Sequence, residues 1–169
     1  MRILILFTFL ITNTLANELP DIKNLVIHKI PKIYDNVIFL DDTDEEINIQ
    51  NLESQLIILN FWATWCEPCK EEMPSLNRLI LNKKLKNLKI YPINIGKESL
   101  NKVNNFFAEL GIDSLEPYFD NPSTLAKTFS LRGIPTTIFL NSKGEEFARI
   151  IGSINFDDEK FINWLKNLS

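Results

Sequence analysis

Cys66 and Cys69 are the two cysteines of this 169-residue chain, and they lie three positions apart in the stretch WCEPC. A disulfide between them would close so short a loop that it would constrain the unfolded chain very little. Two thiols at this spacing suit thiol–disulfide exchange, in which one thiolate attacks a disulfide and the other resolves the mixed disulfide. We interpret the pair as reactive, with an inert structural disulfide as the alternative.

The elements around the pair favour this chemistry. The apolar run from Leu56 to Trp62 has the length of a strand covered on both faces. Apolar residues recur at helical spacing after the pair: Met73, Leu76, Leu79 and Ile80. This pattern predicts a helix from the motif towards Asn82, and Pro68 suits its first turn. Cys66 at the helix N-terminus would be stabilised as a thiolate, so we predict that Cys66 attacks and Cys69 resolves.

Other uses of a C-x-x-C motif need ligands that this chain lacks. A structural zinc site takes four Cys or His-type ligands, and His28 is the one histidine of the sequence. Covalent haem attachment needs C-x-x-C-H, but residue 70 is lysine. We therefore expect no metal and no cofactor other than the Cys66–Cys69 disulfide, and we interpret His28 as an ordinary polar residue without partners.

The rest of the chain predicts a single α/β domain. Residues 17–35 read as an extended lead-in, and the domain follows from residue 36 to 169. The predicted elements are a hairpin over residues 37–49, a buried strand over 88–95, a helix over 100–110 closed by Gly111, a short helix over 122–129, a second hairpin over 134–151 and an amphipathic helix over 157–168. This order implies a mixed sheet with helices on both faces.

The net charge indicates which classes of partner are improbable, and the N-terminal segment indicates the cellular compartment. A net charge of −4 without a basic stripe argues against nucleic acid and anionic membrane surfaces as partners. The N-terminal segment has the pattern of a secretory signal peptide. It begins with the positive Met1-Arg2, continues with an apolar run from Ile3 to Ile11, and ends with small residues before a cut after Ala16. We predict export to the periplasm or the extracytoplasmic face; an uncleaved anchor or a buried strand is the alternative.

Two separated segments carry a resemblance to a known family. The segment from Asn60 to Pro74 resembles the active-site segment of TlpA/ResA-type thioredoxin-like proteins. The segment from Arg132 to Thr137 resembles the cis-proline loop of that family, and the order of elements matches from about Val37 to the C-terminus. The resemblance implies a thioredoxin-like fold, with a central mixed β-sheet flanked by helices and an N-terminal β-hairpin extension.

The resemblance also implies a client-binding surface. Pro135 matches the cis-proline that faces the disulfide, and the backbone of Ile134 matches the position that pairs with the substrate chain; Thr136 follows in the same loop. Trp65, directly before the nucleophile, is expected to form an exposed apolar rim for docking. Trp62 is more readily explained as a core residue of its strand.

Three acidic or amide positions bear on the mechanism that the resemblance implies. Thioredoxin has a buried aspartate where this chain has Asn60, so another group must take the proton of Cys69. Glu72 matches a carboxylate near the active site of ResA-like proteins, and we predict either a base at this position or a solvated acid on the helix face. The charge of Glu67 should disfavour thiolate formation, which favours a reductant.

The predicted activity is that of an exported thiol–disulfide oxidoreductase that reduces cysteines of client proteins. By resemblance, the clients are apocytochromes c or factors that assemble the copper site of cytochrome oxidase, and a membrane thiol reductase supplies the electrons. Three alternatives stay open: an oxidant that introduces disulfides, a thiol peroxidase of related fold, and a redox-silent binding module.

Overall fold

The computed structural model describes residues 21–120 and 123–168. The predicted signal segment and its cleavage point lie outside these residues. The described strands are β1 (Leu25–Lys32), β2 (Ile38–Leu40), β3 (Glu46–Asn48), β4 (Leu56–Trp62), β5 (Leu88–Asn94), β6 (Tyr118–Phe119), β7 (Thr136–Asn141) and β8 (Glu146–Ile151). The helices are α1 (Glu67–Ile80), α2 (Leu100–Glu109), α3 (Leu125–Thr128) and α4 (Glu159–Lys166), and a 3-10 turn over Ile49–Asn51 follows β3.

All these strands join one sheet in the order β1-β8-β7-β4-β5-β6-β2-β3. Strand β5 is parallel to both β4 and β6, and the other neighbouring strands are antiparallel. The predicted mixed sheet is therefore confirmed, and so are both predicted hairpins, β2–β3 and β7–β8. The β2–β3 hairpin extends the sheet at the edge opposite to β1.

Strand β4 lies within the sheet and separates two apolar cores. Leu56, Ile58 and Trp62 pack in the core that also contains buried residues of α1, α2 and α4. Ile57, Leu59 and Phe61, which alternate with them, pack in the core that contains Leu125 of α3. Because successive strand residues point to opposite faces, this division explains why every residue of β4 is buried. Of the helices that the structure describes, none is long and apolar enough to cross a membrane.

Strand β1 is the main departure from the sequence-based prediction. The sequence pattern indicates only an extended lead-in here, whereas the structure pairs β1 with β8, with Leu25 opposite Ile150. The pairing contains an irregularity between Ile27 and Lys32. Strand β1 lies at the edge of the sheet, and most of its apolar residues are exposed. Its sequence does not alternate between apolar and polar residues as a half-buried strand does, so the strand was not predicted.

The interpretation of His28 as a residue without partners is wrong. Its Nε2 lies 2.5 Å from Oε1 of the fully buried Glu146 on β8. Tyr34 donates to the other carboxylate oxygen at 2.7 Å, and Arg149 donates to both oxygens, through Nε at 2.6 Å and Nη2 at 2.7 Å. The β1–β8 pairing creates this cluster from residues more than a hundred positions apart, which no local pattern could indicate.

Candidate active site

The two cysteines form a disulfide at the start of α1. Cys66 is the N-cap of this helix, and Pro68 lies in its first turn, as predicted. The carbonyl oxygen of Cys66 accepts the first helical hydrogen bonds, from the N–H groups of Cys69 at 3.0 Å and Lys70 at 3.2 Å. The sulfur atoms therefore lie at the positive end of the helix dipole, where a thiolate is stabilised.

The two sulfur-bearing residues differ in accessibility. Cys66 is 5% exposed and Cys69 is fully buried against the apolar core around Met73 and Leu76. Cys66 is therefore the more accessible of the two cysteines. This difference is consistent with the predicted roles of an attacking Cys66 and a resolving Cys69, which stay predictions.

Glu72 lies one helical turn after Cys69 on α1 and is only 2% exposed. The alternative interpretation of Glu72 as a solvated acid on the helix face is therefore wrong. Burial raises the pKa of this carboxyl to about 8, although hydrogen bonds from Asn60 and from the backbone N–H of Ile154 oppose the shift. A carboxyl with such a pKa changes protonation near neutral pH, as a proton acceptor for a thiol must.

Asn60 connects this carboxyl to the central sheet. Its Nδ2 donates to Oε1 of Glu72 at 2.8 Å and to Oγ1 of Thr137 on β7 at 3.0 Å. Its Oδ1 is buried and has no hydrogen-bond partner among the described residues. The amide that replaces the aspartate of thioredoxin thus holds Glu72 in place without adding a second charge. Thr137 lies 77 positions from Asn60, so no local pattern indicates this contact.

The predicted cis-proline loop lies at the same end of the sheet as the disulfide. The Ile134–Pro135 peptide bond is cis. Phe61 pairs with Thr136, which brings the start of β7 beside the end of β4. Strand β4 ends at Trp62, four residues before Cys66. Ile134 packs against the core that contains both cysteines.

Within this loop, Pro135 and Thr136 are both buried. The hydroxyl of Thr136 donates to the carbonyl of Gly133 at 2.7 Å. The carbonyl of Pro135 accepts the N–H of Gly152 at 2.9 Å. These contacts fix the loop internally, so the Thr136 side chain supports the loop shape.

The two tryptophans of the motif have different environments. Trp65, directly before Cys66, is 65% exposed and presents an apolar surface beside the disulfide. Trp62 is fully buried and stacks on Phe106 and Phe107 of α2, with ring centroids 4.9 and 5.4 Å away. The prediction that Trp62 is a core residue is therefore confirmed.

Glu67 is exposed and paired with Lys70, whose Nζ lies 3.1 Å from its carboxylate. The field of Glu67 at the thiols is consequently reduced by the neighbouring cation and by solvent. This pairing weakens the sequence-based argument that Glu67 alone selects a reductant.

One contact beside the motif was not predicted from the sequence. The N–H of Thr64 donates to Oε2 of Glu98 at 2.8 Å, and the Thr64 hydroxyl donates to Oε1 of the same carboxylate. Glu98 lies 34 positions away, between β5 and α2, and no spacing pattern connects it to the cysteines.

The geometry can be compared with known proteins. A model of the AhpC/TSA family matches residues 26–145, which is most of the chain. The chain belongs to the AhpC/TSA family. It is also similar to thiol-disulfide oxidoreductase ResA of Bacillus subtilis, with 29% identity over 119 residues, or 70% of this chain and 65% of that protein. ResA of Bacillus thuringiensis is 28% identical over 124 residues, or 73% of this chain and 70% of the relative.

Solved structures show the same architecture. StoA from Bacillus subtilis is 26% identical, with a TM-score of 0.64, and the match covers 82% of this chain and 98% of StoA. A secreted thiol-disulfide isomerase from Corynebacterium glutamicum is 21% identical, with a TM-score of 0.71 over 88% of this chain and 93% of that one. The predicted thioredoxin-like fold and the resemblance to ResA-type oxidoreductases are therefore confirmed.

Proposed function

We propose that this chain is an exported thiol–disulfide oxidoreductase that reduces cysteines of client proteins through Cys66 and Cys69. The observation that carries the proposal is the disulfide at the N-terminus of α1, with its more accessible residue, Cys66, directly after the exposed Trp65. The names of the ResA relatives support the same chemistry.

The proposed reaction moves two electrons from the reduced protein to a client disulfide. The Cys66 thiolate attacks one client sulfur, the client S–S bond breaks, and one client thiolate leaves as a mixed disulfide forms. The Cys69 thiol then loses its proton and attacks the sulfur of Cys66. This second step restores the Cys66–Cys69 disulfide, releases the other client thiolate, and leaves the client with two thiols after protonation.

Glu72 is the proposed acceptor of the Cys69 proton. Both groups lie on the buried face of α1, one turn apart, and Asn60 fixes the carboxyl with a hydrogen bond of 2.8 Å. The hydrogen bonds that this carboxyl accepts come from the Asn60 amide and the Ile154 backbone, and neither is a cation that would hold it ionised. The carboxyl can therefore take up a proton near neutral pH and release it again, which the neutral Asn60 cannot do.

The client is proposed to dock on Trp65 and on the half-buried Ile134, with the buried cis-Pro135 fixing the shape of the loop. The indole supplies apolar contact area, and the backbone of Ile134 pairs with an extended client segment, as the family resemblance implies. The proposed clients are apocytochromes c or assembly factors of the oxidase copper site. A membrane thiol reductase would return two electrons to the disulfide, since no other cysteine pair exists in the sequence.

Export is part of the proposal because a reductant of this kind is needed where disulfides form spontaneously. The N-terminal pattern that ends at Ala16 supports it. The test is expression of the full chain in a Gram-negative host, fractionation, and N-terminal sequencing of the product. A mature N-terminus at Asn17 in the periplasmic fraction supports cleavage of a signal peptide. An intact N-terminus in the membrane fraction would show instead that the segment is an uncleaved membrane anchor.

The direction of electron flow is tested by the reduction potential of the Cys66–Cys69 pair. The purified protein is equilibrated against glutathione or dithiothreitol buffers, and the dithiol fraction is counted by thiol alkylation. A potential of about −270 mV or below supports a reductant. A potential near about −120 mV would instead indicate an oxidant that introduces disulfides.

Two further assays separate the remaining alternatives. Insulin reduction by the dithiol form tests for oxidoreductase activity, and complete inactivity with both thiols demonstrably reduced would indicate a binding module. Consumption of hydrogen peroxide tests the peroxidase alternative that the AhpC/TSA match keeps relevant. We expect rapid insulin reduction and no peroxide consumption beyond that of free dithiothreitol.

A further inference from the structure

Residues 63–66 form the turn that carries the nucleophile, and they belong to neither flanking element. Strand β4 ends at Trp62 and α1 begins at Glu67. Within the turn, the N–H of Cys66 donates to the carbonyl of Ala63 at 3.1 Å. Trp65 is largely exposed, so core packing does not fix its position. Ala63 and Cys66 pack in the apolar core, and the backbone and hydroxyl of Thr64 between them are held by hydrogen bonds.

Glu98 supplies two of these hydrogen bonds. Its carboxylate accepts both the backbone N–H and the hydroxyl of Thr64, two residues before Cys66. The same carboxylate accepts Nδ2 of Asn94 at 2.8 Å and lies 2.5 Å from Nζ of Lys102. The Glu98 side chain is only 4% exposed. A buried carboxylate with four donors is held in one orientation, and so is the backbone that it binds.

The surrounding chain is shaped to admit this carboxylate. A Cβ atom built on Gly96 would lie 2.9 Å from Oε2 of Glu98 and 3.0 Å from Cβ of Ala63. The N–H of Gly96 in turn donates to Oδ1 of Asn94 at 2.9 Å. Glycine at this position therefore allows the segment after β5 to approach the active-site turn closely.

Glu98 is ionised at neutral pH. Burial alone would raise the pKa of its carboxyl, but hydrogen bonds from Lys102, Thr64 and Asn94 outweigh burial and lower that pKa to about 2. The four donors are thus charge-assisted partners of a carboxylate, which makes their hydrogen bonds stronger than neutral ones.

We propose that Glu98 is a positioning residue, whose carboxylate fixes the turn of residues 63–66 and so orients Cys66 and Trp65 towards an incoming disulfide. This inference rests on the proposed function. Glu98 acts through Thr64 and does not contact the reacting sulfur atoms. Its loss should slow the attack by Cys66 because misplacement of a reacting group by about 1 Å can lower a rate by about a hundredfold.

The sign of the effect distinguishes positioning from electrostatics. Removal of a negative charge near Cys66 would favour its thiolate and speed the attack at neutral pH. Loss of positioning slows the attack, and it does so even at a pH where Cys66 is fully ionised. The informative quantity is therefore the plateau of the second-order rate constant at high pH, measured by stopped-flow tryptophan fluorescence with oxidised glutathione and with insulin.

The variants are Glu98→Gln, which keeps the shape but loses the charge, and Thr64→Val, which removes the hydroxyl donor. The exposed Glu109→Gln on α2 is the matched control. We expect Glu98→Gln to lower the plateau by about tenfold and Thr64→Val by a smaller factor, with the control unchanged. The double variant should be no slower than Glu98→Gln alone, because both changes remove one interaction.

Plateau rates of Glu98→Gln and Thr64→Val within twofold of the wild type would overturn the inference, as would faster reaction of Glu98→Gln at every pH. Thermal unfolding followed by circular dichroism establishes that each variant is folded at the assay temperature. If Glu98→Gln does not fold, Thr64→Val and Thr64→Ser decide the matter, since the serine variant restores the hydroxyl and should recover the rate. An unreactive wild-type protein would contradict the proposed function itself.

Discussion

The amide of Asn60 donates a hydrogen bond of 2.8 Å to the carboxyl of Glu72, and this contact joins the central strand β4 to α1 one turn after Cys69. The contact holds a buried acid of the disulfide-bearing helix in place, and the donor is a neutral amide that does not keep the acid ionised. Burial therefore outweighs the hydrogen bonds and raises the pKa of Glu72 to about 8. The protonation state of Glu72 should therefore affect both the pH dependence of stability and the rate of the proposed redox step.

The first prediction concerns the stability of the oxidised protein. The folded-state pKa of Glu72 lies above its ordinary value of 4.5, so its stabilising contribution is complete below pH 4.5 and is lost as pH rises towards about 8. In Glu72→Gln this pH dependence should disappear. Urea unfolding between pH 5 and 8 gives the free energy of unfolding as a function of pH. The slopes of the wild type and of Glu72→Gln should differ by up to about 1.4 kcal/mol per pH unit.

The exposed neighbour Glu71 provides the matched control for this measurement. Glu71→Gln should follow the wild-type stability curve because the carboxyl of Glu71 is solvated in both states. If Glu72→Gln and the wild type have parallel curves, Glu72 does not carry the raised pKa.

The second prediction concerns the rate of client release. Cys69 must lose its proton before it attacks Cys66, and an ionised Glu72 can accept that proton. We expect Glu72→Gln to lower the rate of the resolving step at pH 7 by about tenfold or more, and to move its pH profile to higher pH. Single-turnover reduction of a fluorescent mixed disulfide on Cys66 isolates this step. An unchanged profile would show that Glu72 does not take the proton.

The third prediction concerns the division of labour between the cysteines. Cys69→Ser should accumulate mixed disulfides with client proteins through Cys66, because the resolving thiol is missing. Cys66→Ser should accumulate few, because Cys69 is fully buried. Non-reducing gel electrophoresis after incubation of each reduced variant with denatured, disulfide-containing client proteins compares the two variants. Equal accumulation in both would contradict the assignment of Cys66 as the nucleophile.

The fourth prediction concerns the cluster that attaches β1 to β8. Arg149→Met would leave the buried carboxylate of Glu146 without the cation that contacts both of its oxygens. We expect the free energy of unfolding to fall by about 3 kcal/mol or more, as measured with urea. The exposed ion pair of Arg78 with Asp157 provides the control, and Arg78→Met should cost less than about 1 kcal/mol. Equal losses of unfolding free energy in the two variants would mean that the buried cluster stabilises the fold no more than an exposed ion pair does.

Much of the architecture could be predicted from local patterns. The apolar run of β4, the spacing of apolar residues on α1 and the turn at Asn141 to Gly144 each depend on neighbours in sequence, and each predicted element is present. The ends of elements differ by a few residues, as for α4, which covers Glu159–Lys166 within the predicted 157–168. Strand β1 was missed as part of the sheet because its side chains are largely exposed and give no alternation.

The sequence by itself determined the reactive pair, the helix that begins at it, and the cis-proline loop recognised by resemblance. These features depend on residue types at short spacings, where covalent geometry limits what can form. The environments of Glu72, Glu98 and His28 were decided by the tertiary structure alone. Burial, pKa and the partners of a charge depend on which distant segments pack together, so the buried acid beside Cys69, the carboxylate that holds Thr64 and the His28–Glu146 contact exist only once the sheet has assembled.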